Sequence, residues 1–389
     1  MLAIDPPAPV FAASAVVTRA AKADTGAPAL AVNPQGQVLV AWRDARDRVI
    51  VRAGASGRTR VAGRTEWGGS ATAALRADGF AAVLYLHQPL RGGRRTLEVA
   101  TARPGRAFSR PRKLVSVVAS VGAYQVFAAG DRFVAVWSLA KAVRYAVSDT
   151  AGRFGPARTL ARVDGEAQVS AAADASGTVL VAFRTPVLDG GETTYATLAP
   201  TADRFGAPRV LAGTENSTPR AYGGPGGAAV GFQHDDAVSL VLAGAESRPI
   251  ATVRSGPDDP EDLTSFYAPV LALRGPGATV AAWAIGRFPY GDAEFPTTGN
   301  LQAAQEQPDG SFSNPTRLSA RYVESVGAVA TSTTAVITWR EKRRYRYSLN
   351  LAPALTLTAS GDELNVAAAG EHVVAAWTSG RTIRLARVG

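Results

Sequence analysis

The sequence predicts an all-β propeller, and three observations carry that prediction. The first is a repeated landmark. Short apolar runs end in an aromatic residue eight times, at Trp42, Tyr85, Trp137, Phe183, Phe232, Trp283, Trp339 and Trp377, with spacings of 38 to 56 residues. A period of that size carried by strand-like segments marks a ring of small sheets. The second is a common grammar within each repeat. The third is the lack of helical periodicity anywhere in the 389 residues.

The first repeat shows the grammar. PALAVN, a turn at Pro34-Gln35-Gly36, QVLVAWRD, a polar turn, RVIVRAG, a Ser56-Gly57 turn and TRVAG read as four short strands joined by hairpins. These are strands A to D of one blade, counted outward from the axis. The fourth repeat does the same with QVSAAAD, TVLVAFR, TTYATLA and PRVLA. Alternation within each run sets one side of a strand against the neighbouring blade, so the aromatic that closes strand B is a packing residue between blades. The eighth repeat supplies LNVAAA, HVVAAW and TIRLARV and then the chain stops. VFAASAVVTR, ahead of the first full repeat, is an orphan strand. It is expected to serve as strand D of the last blade, which removes an exposed sheet edge. This count gives eight four-stranded blades in a single domain spanning 1–389; the alternative is seven, with the irregular fifth or the seventh repeat excluded.

Composition narrows the function classes. The apolar fraction of 46% suits a globular protein with a substantial core. No apolar run approaches the ~18 residues of a membrane span. MLAIDPPAPVFAAS has no basic segment and no continuous apolar core, so it does not read as a signal peptide; Met1 in place of a removed leader fits an envelope or secreted setting, and a cytoplasmic one stays open. Cysteine is absent, which removes disulfides, thiolate nucleophiles and cysteine-ligated metals. The net charge of +10 rests almost wholly on arginine, since Lys22, Lys113, Lys141 and Lys342 are the only lysines. A polyanion partner is one explanation. However, the basic residues are interleaved with acids and lack the aromatic spacing of a base-stacking platform, so no specific nucleic-acid partner is expected.

The A–B turns (NPQG, RADG, ASG, GPGG, GPG) are tight, whereas the D–A and B–C connections on the opposite face are longer and more polar. That loop face is the expected working face. The longest insertions, GPDDPEDLTSFYAP and IGRFPYGDAEFPTTGN, fall there. Arg43, Arg184 and Arg340 follow the strand B aromatic in three blades and are placed to converge on a carboxylate, sulfate or phosphate, or else to pair with nearby acids such as Asp44, Asp47, Glu192 or Glu341. The D–A connections carry Asp24, Glu66, Glu166, Glu215, Asp262, Glu324 and Glu363, with Trp67, Phe266, Tyr267 and Tyr322 beside them. Carboxylates with aromatic platforms suit a sugar site, and two carboxyls about 5–10 Å apart suit glycosidic chemistry. One acid per blade equally suits a turn-capping role. His87, His234 and His372 show no metal-binding spacing, although His234 is followed by Asp235 and Asp236. Asp258 to Asp262 lacks the alternation of a calcium loop. No metal or other cofactor is expected.

The C–D hairpins Ser148-Asp149-Thr150-Ala151-Gly152-Arg153-Phe154, Ala202-Asp203-Arg204-Phe205-Gly206 and Pro308-Asp309-Gly310-Ser311-Phe312 resemble degenerate Asp-boxes, the Ser-x-Asp-x-Gly-x-Thr-Trp turns of sialidase-like bacterial propellers. Phe183-Arg184-Thr185-Pro186 is similar to the sialidase Phe/Tyr-Arg-Ile/Leu-Pro element, whose arginine holds the substrate carboxylate. The resemblance implies a ligand-binding role for Arg184. It departs in the third residue, in its mid-chain position, and in a count of eight blades where the sialidase domain has six. The Tyr–Glu nucleophile pair and the acid/base Asp of that family have no counterpart here, so catalytic residues stay unassigned. The functional expectation is a secreted or envelope-associated, monomeric scaffold that binds a glycan or protein through Arg43, Arg184, Arg340, Glu66, Trp67, Tyr267 and His234. The alternative is a glycoside hydrolase or polysaccharide lyase on acidic glycans.

Overall fold

A computed structural model describes residues 10–19, 27–54, 57–65, 71–87, 93–117, 120–184, 191–211, 214, 218–234, 237–243, 245, 247–252, 263–266, 269–288, 298–358 and 363–388. Among them there is no helix, and eight antiparallel sheets account for the strands. The first sheet contains Ala29–Val32, Val38–Arg43, Arg48–Ala53 and Thr59–Arg64 in simple meander order; the next four and the seventh repeat that order, and the sixth carries one additional strand. The innermost strands touch their neighbours in sequence around the axis, and the strand Leu364–Ala369 of the last sheet returns to Ala29–Val32 of the first. The ring therefore has eight blades. The irregular fifth repeat (Arg220–Gly224 onward) and the seventh (Ser325–Ala330 onward) are complete four-stranded members.

The orphan strand closes the ring as expected. Ala15–Arg19 pairs antiparallel with Thr382–Arg387, with Ala15 opposite Leu385 and Arg19 opposite Thr382. Phe11 extends the contact by packing edge-on against Tyr347 at 4.9 Å. Removing residues through Arg19 would bare the edge of Thr382–Arg387, a template for pairing with another chain. The truncated protein is expected to melt at lower temperature and to elute as higher-order species in size-exclusion chromatography.

All eight landmark aromatics are buried, from 0% exposure at Tyr85 and Trp137 to 6% at Trp42. They lie in clusters that span pairs of blades, which confirms their packing role. A second aromatic layer comes from the C–D hairpins. Phe154 is 2% exposed and joins Phe80 and Phe133 in the core between the second and third blades, while Phe205 packs edge-on against Tyr145 at 4.8 Å. Asp149 shapes its hairpin by accepting from the backbone N–H of Arg153 at 2.8 Å, and Asp309 does the same for Ser311 at 2.9 Å.

The sixth blade departs from expectation. Leu263–Phe266, read from sequence as part of a long connection, pairs with the far end of a ten-residue strand, Thr279–Phe288. The two long insertions are thus partly one extension of the sheet, because each contributes a short strand-forming run, LTSF and AIGRF.

Candidate functional site

The inner strands face one another around the axis without a shared backbone ladder; isolated backbone bonds such as Gly226 N to Leu273 O at 3.0 Å join some of them, and side chains tie others. Gln125 Oε1 accepts from Ala171 N at 2.9 Å, Ser170 Oγ accepts from Ala221 N at 2.9 Å, and Asn365 Nδ2 donates to Pro28 O at 3.0 Å. Each bond joins one blade to the next. Towards the A–B turns the channel wall is mostly alanine and glycine, around a space of about 400 Å³. Glycine is required there by close approach. A Cβ on Gly223 would lie 2.0 Å from Ala173 O, and one on Gly224 would lie 2.5 Å from Leu273 O.

Towards the D–A and B–C loops the channel becomes polar. A cavity of about 560 Å³ is lined by Gln125, Ser170, Arg220, Tyr222, Tyr345 and Asn365, among others, from the third, fourth, fifth, seventh and eighth blades. Residues far apart in the chain therefore meet at one mouth. Arg220 opens the inner strand Arg220–Gly224, and the two-residue period sets Tyr222 on the same side. Burial pushes the Tyr222 phenol up to about 12, while the charge and hydrogen bond of Arg220 pull it down. Burial wins, so at neutral pH Tyr222 is a neutral phenol beside a cation. Tyr345 is also raised, first by burial and then by the negative charge of Glu363, against the opposing charge of Arg340 and a hydrogen bond with Ser325. Arg220 also lines a small adjoining recess of about 100 Å³ together with Glu324.

The residues singled out from sequence are distributed as follows. Arg43, Arg184 and Arg340 each sit at or beside the end of strand B, and each is engaged within its own blade. Arg43 pairs with Asp47 at 3.6 Å, and Arg184 Nε donates to Gly191 O at 2.8 Å. Arg340 lies 3.2 Å from Glu324 and 6.0 Å from the centre of the Tyr345 ring, which brings it next to the cavity. Of the D–A acids, Glu324 and Glu363 belong to this neighbourhood, and Glu166 accepts a long bond from Ser120 Oγ at 3.4 Å. Glu66, Trp67, Tyr267, Asp24, Glu215 and Asp262, with the run Asp258 to Asp262, lie outside the described residues. His234 closes a strand at the B–C end, and its side chain is likewise outside them. His87 also ends a strand B, whereas His372 begins one on the opposite face, beside Gly36. Among the described residues no three His, Cys, Asp or Glu side chains form a group fit to hold a metal ion, and no helix is long and apolar enough to cross a membrane.

Arg220 and Tyr222 were not singled out from sequence, because attention to loops passes over an inner strand. The available signal is the arginine two residues before an aromatic in RAYGG, since no other inner strand among the described residues contains an arginine.

Behind the mouth, Glu341 is 8% exposed and accepts from Trp339 Nε1 at 3.3 Å, from Arg346 at 3.4 Å and from the Ser319 hydroxyl. Burial raises its pKa, but the Ser319 and Trp339 hydrogen bonds and the Arg346 charge outweigh that and hold it below the usual carboxylate range. A depressed folded-state pKa contributes stability above the unfolded value and loses it as pH falls through the folded one. Glu341→Gln is therefore expected to lower stability at neutral pH and to flatten the acid limb of a stability–pH curve measured by urea unfolding.

No protein-family model and no curated protein sequence matches the chain. Its fold does resemble solved structures. A polysaccharide lyase, Uly1, superposes with a TM-score of 0.52 at 8% identity, covering 93% of this chain and 89% of that one. A PL25 ulvan lyase solved bound to GlcA(1-4)Rha3S superposes with a TM-score of 0.50 at 11% identity, over 98% and 96% of the two chains. The Dos1 propeller gives 0.50 at 10% identity, over 94% and 78%. At these identities the similarity is one of fold.

Proposed function

We propose that this propeller binds an acidic glycan at the loop-side mouth of its channel, with Arg220 holding a uronate carboxylate. The observation that carries the reading is Arg220 beside Tyr222 in a polar cavity large enough for a sugar unit. A guanidinium binds a carboxylate through two parallel hydrogen bonds. The Tyr222 hydroxyl, with Asn365 on the far wall, supplies the few placed polar groups that orient a ligand in a concave site. Arg340 and Glu324 form a paired rim beside it. Arg43, Arg184, Glu66, Trp67, Tyr267 and His234 are proposed as outer loop-face contacts for a longer chain. A protein ligand on the same face, an envelope or secreted location, and a monomeric state accompany this reading.

A second reading is elimination at a bound uronate, favoured by the two fold neighbours named as polysaccharide lyases. There a carboxylate held by Arg220 would acidify the neighbouring C–H, a base would take that proton, its electron pair would form a C=C bond as the adjacent C–O bond breaks, and the departing oxygen would take up a proton. Tyr222 is a candidate base in the same cavity, but a phenol near pKa 12 is ionised to only about one part in ten thousand near pH 8. The site as built suits binding over proton abstraction. Sialidase-like activity draws support only from the C–D hairpins and Arg184, which is engaged at Gly191.

Titration calorimetry with oligoglucuronate and with the neutral glucose oligomer of equal length tests the proposal. Saturable binding of the acidic chain alone is expected, and equal or absent binding of both would refute it. Growth of ultraviolet absorbance from an unsaturated uronate during incubation would turn the conclusion to the lyase.

A further inference from the structure

A second cavity lies on the opposite face, where the first two blades meet. It holds about 570 Å³. Its origin is readable from strand register. Between the second and third blades the cleft is filled by Phe80 and Phe133, edge-on at 5.6 Å, with Phe154 behind them. Phe133 lies four residues before the landmark Trp137, and the equivalent position before Tyr85 is Ala81. Phe80 lies one residue further back than Ala81, and its counterpart in the first blade is Gln37, one residue before Val38. Two phenyl rings are thus replaced by a methyl group and an amide. Phe108, in the hairpin of the second blade, is half-buried along the resulting space.

The rim is cationic. Arg58 and Arg60 come from the first blade, Arg103 and Arg106 from the second, and Arg387 from the last. Arg60 Nη2 donates to Gly105 O at 2.7 Å, which ties the two hairpins. Among the described residues none of the five is ion-paired with a carboxylate. The filled cleft next door is the contrast: its arginine, Arg76, covers the Phe80 ring at 5.0 Å and is paired with Asp78 at 2.6 Å. Uncompensated guanidinium groups around an apolar floor of Leu39, Val51 and Phe108 select a ligand with both characters.

We infer that the cleft between the first and second blades is a binding site for a small amphiphilic anion, an apolar ring body bearing one carboxylate, sulfate or phosphate. The body occupies the space left by Ala81 and Gln37, and the anion meets the arginine rim. The site is independent of the channel mouth and of its proposed glycan.

Calorimetric titration with naphthalenesulfonate, and with uncharged naphthol as the same ring without the anion, provides the test. Naphthalenesulfonate is expected to bind at one saturable site and naphthol at least about tenfold more weakly, the loss of one charge-assisted interaction. Ala81→Phe, which restores the filling of the next cleft, should abolish binding; Ala81→Leu serves if the larger residue impairs folding. Arg58→Ala/Arg106→Ala, on exposed side chains, should weaken the sulfonate about tenfold or more and leave naphthol unchanged. Equal affinity for the two probes, or sulfonate binding undiminished by cavity filling in a folded variant, would overturn the assignment. So would sulfonate binding that survives removal of the arginines.

Discussion

Arg220→Met is expected to weaken binding of an oligouronate by about ten- to a hundredfold, from the ~1.5–3 kcal/mol of a charge-assisted hydrogen bond. The side chain is half-buried at the channel mouth and, among the described residues, carries no blade-to-blade bond of the kind made by Gln125 or Ser170. Folding stability should fall only by about 0.5–1.5 kcal/mol, the loss of its hydrogen bond with Tyr222. Arg220→Lys keeps the charge but loses the planar fork, so its affinity should fall between the two. Tyr222→Phe should cost about 0.5–1.5 kcal/mol of binding by removing one hydroxyl donor. Because Tyr222 titrates near 12, wild-type binding should be flat across the neutral pH range. A decline over that range would assign the contact to another group.

The second large effect concerns stability. Glu306 is 4% exposed at the hairpin of the sixth blade, where it accepts from Thr279 N at 3.0 Å and meets Arg248 of the fifth blade at 2.7 Å. Arg248→Ala leaves that carboxylate buried without its cation and is expected to cost about 3–5 kcal/mol. Arg248→Met/Glu306→Gln removes both charges at similar volume and should recover much of the loss, since desolvating an ion pair consumes most of its attraction. Chemical denaturation of the two single variants and the double variant measures the coupling. Additive losses would mean that the pair does not join the two blades.

The architecture was legible because its determinants are local and repeated. Trp137, Trp283 and Trp377 mark the same position in each sheet, and Ala15–Arg19 could be recognised as a strand lacking a partner. The same repetition obscured the site. Arg220 and Tyr222 sit in an inner strand whose meaning depends on which other inner strands face it across the axis, and that is a property of ring closure. Arg340 lies near a strand end, and its neighbours Glu324 and Tyr345 come from different parts of the blade. The insertions of the sixth blade read as loops because LTSF is short and finds its partner only after eighteen intervening residues, at Ile285–Phe288. The cleft beside Ala81 follows from a register comparison that becomes meaningful only once Phe80 and Phe133 are seen filling the adjacent gap.

A crystal structure with an oligoglucuronate bound addresses the glycan reading most directly. The proposal predicts a sugar carboxylate against the Arg220 guanidinium, with the Tyr222 hydroxyl within hydrogen-bonding distance of the same residue. An oligosaccharide seated elsewhere on the ring, with the channel mouth holding only solvent, would contradict it.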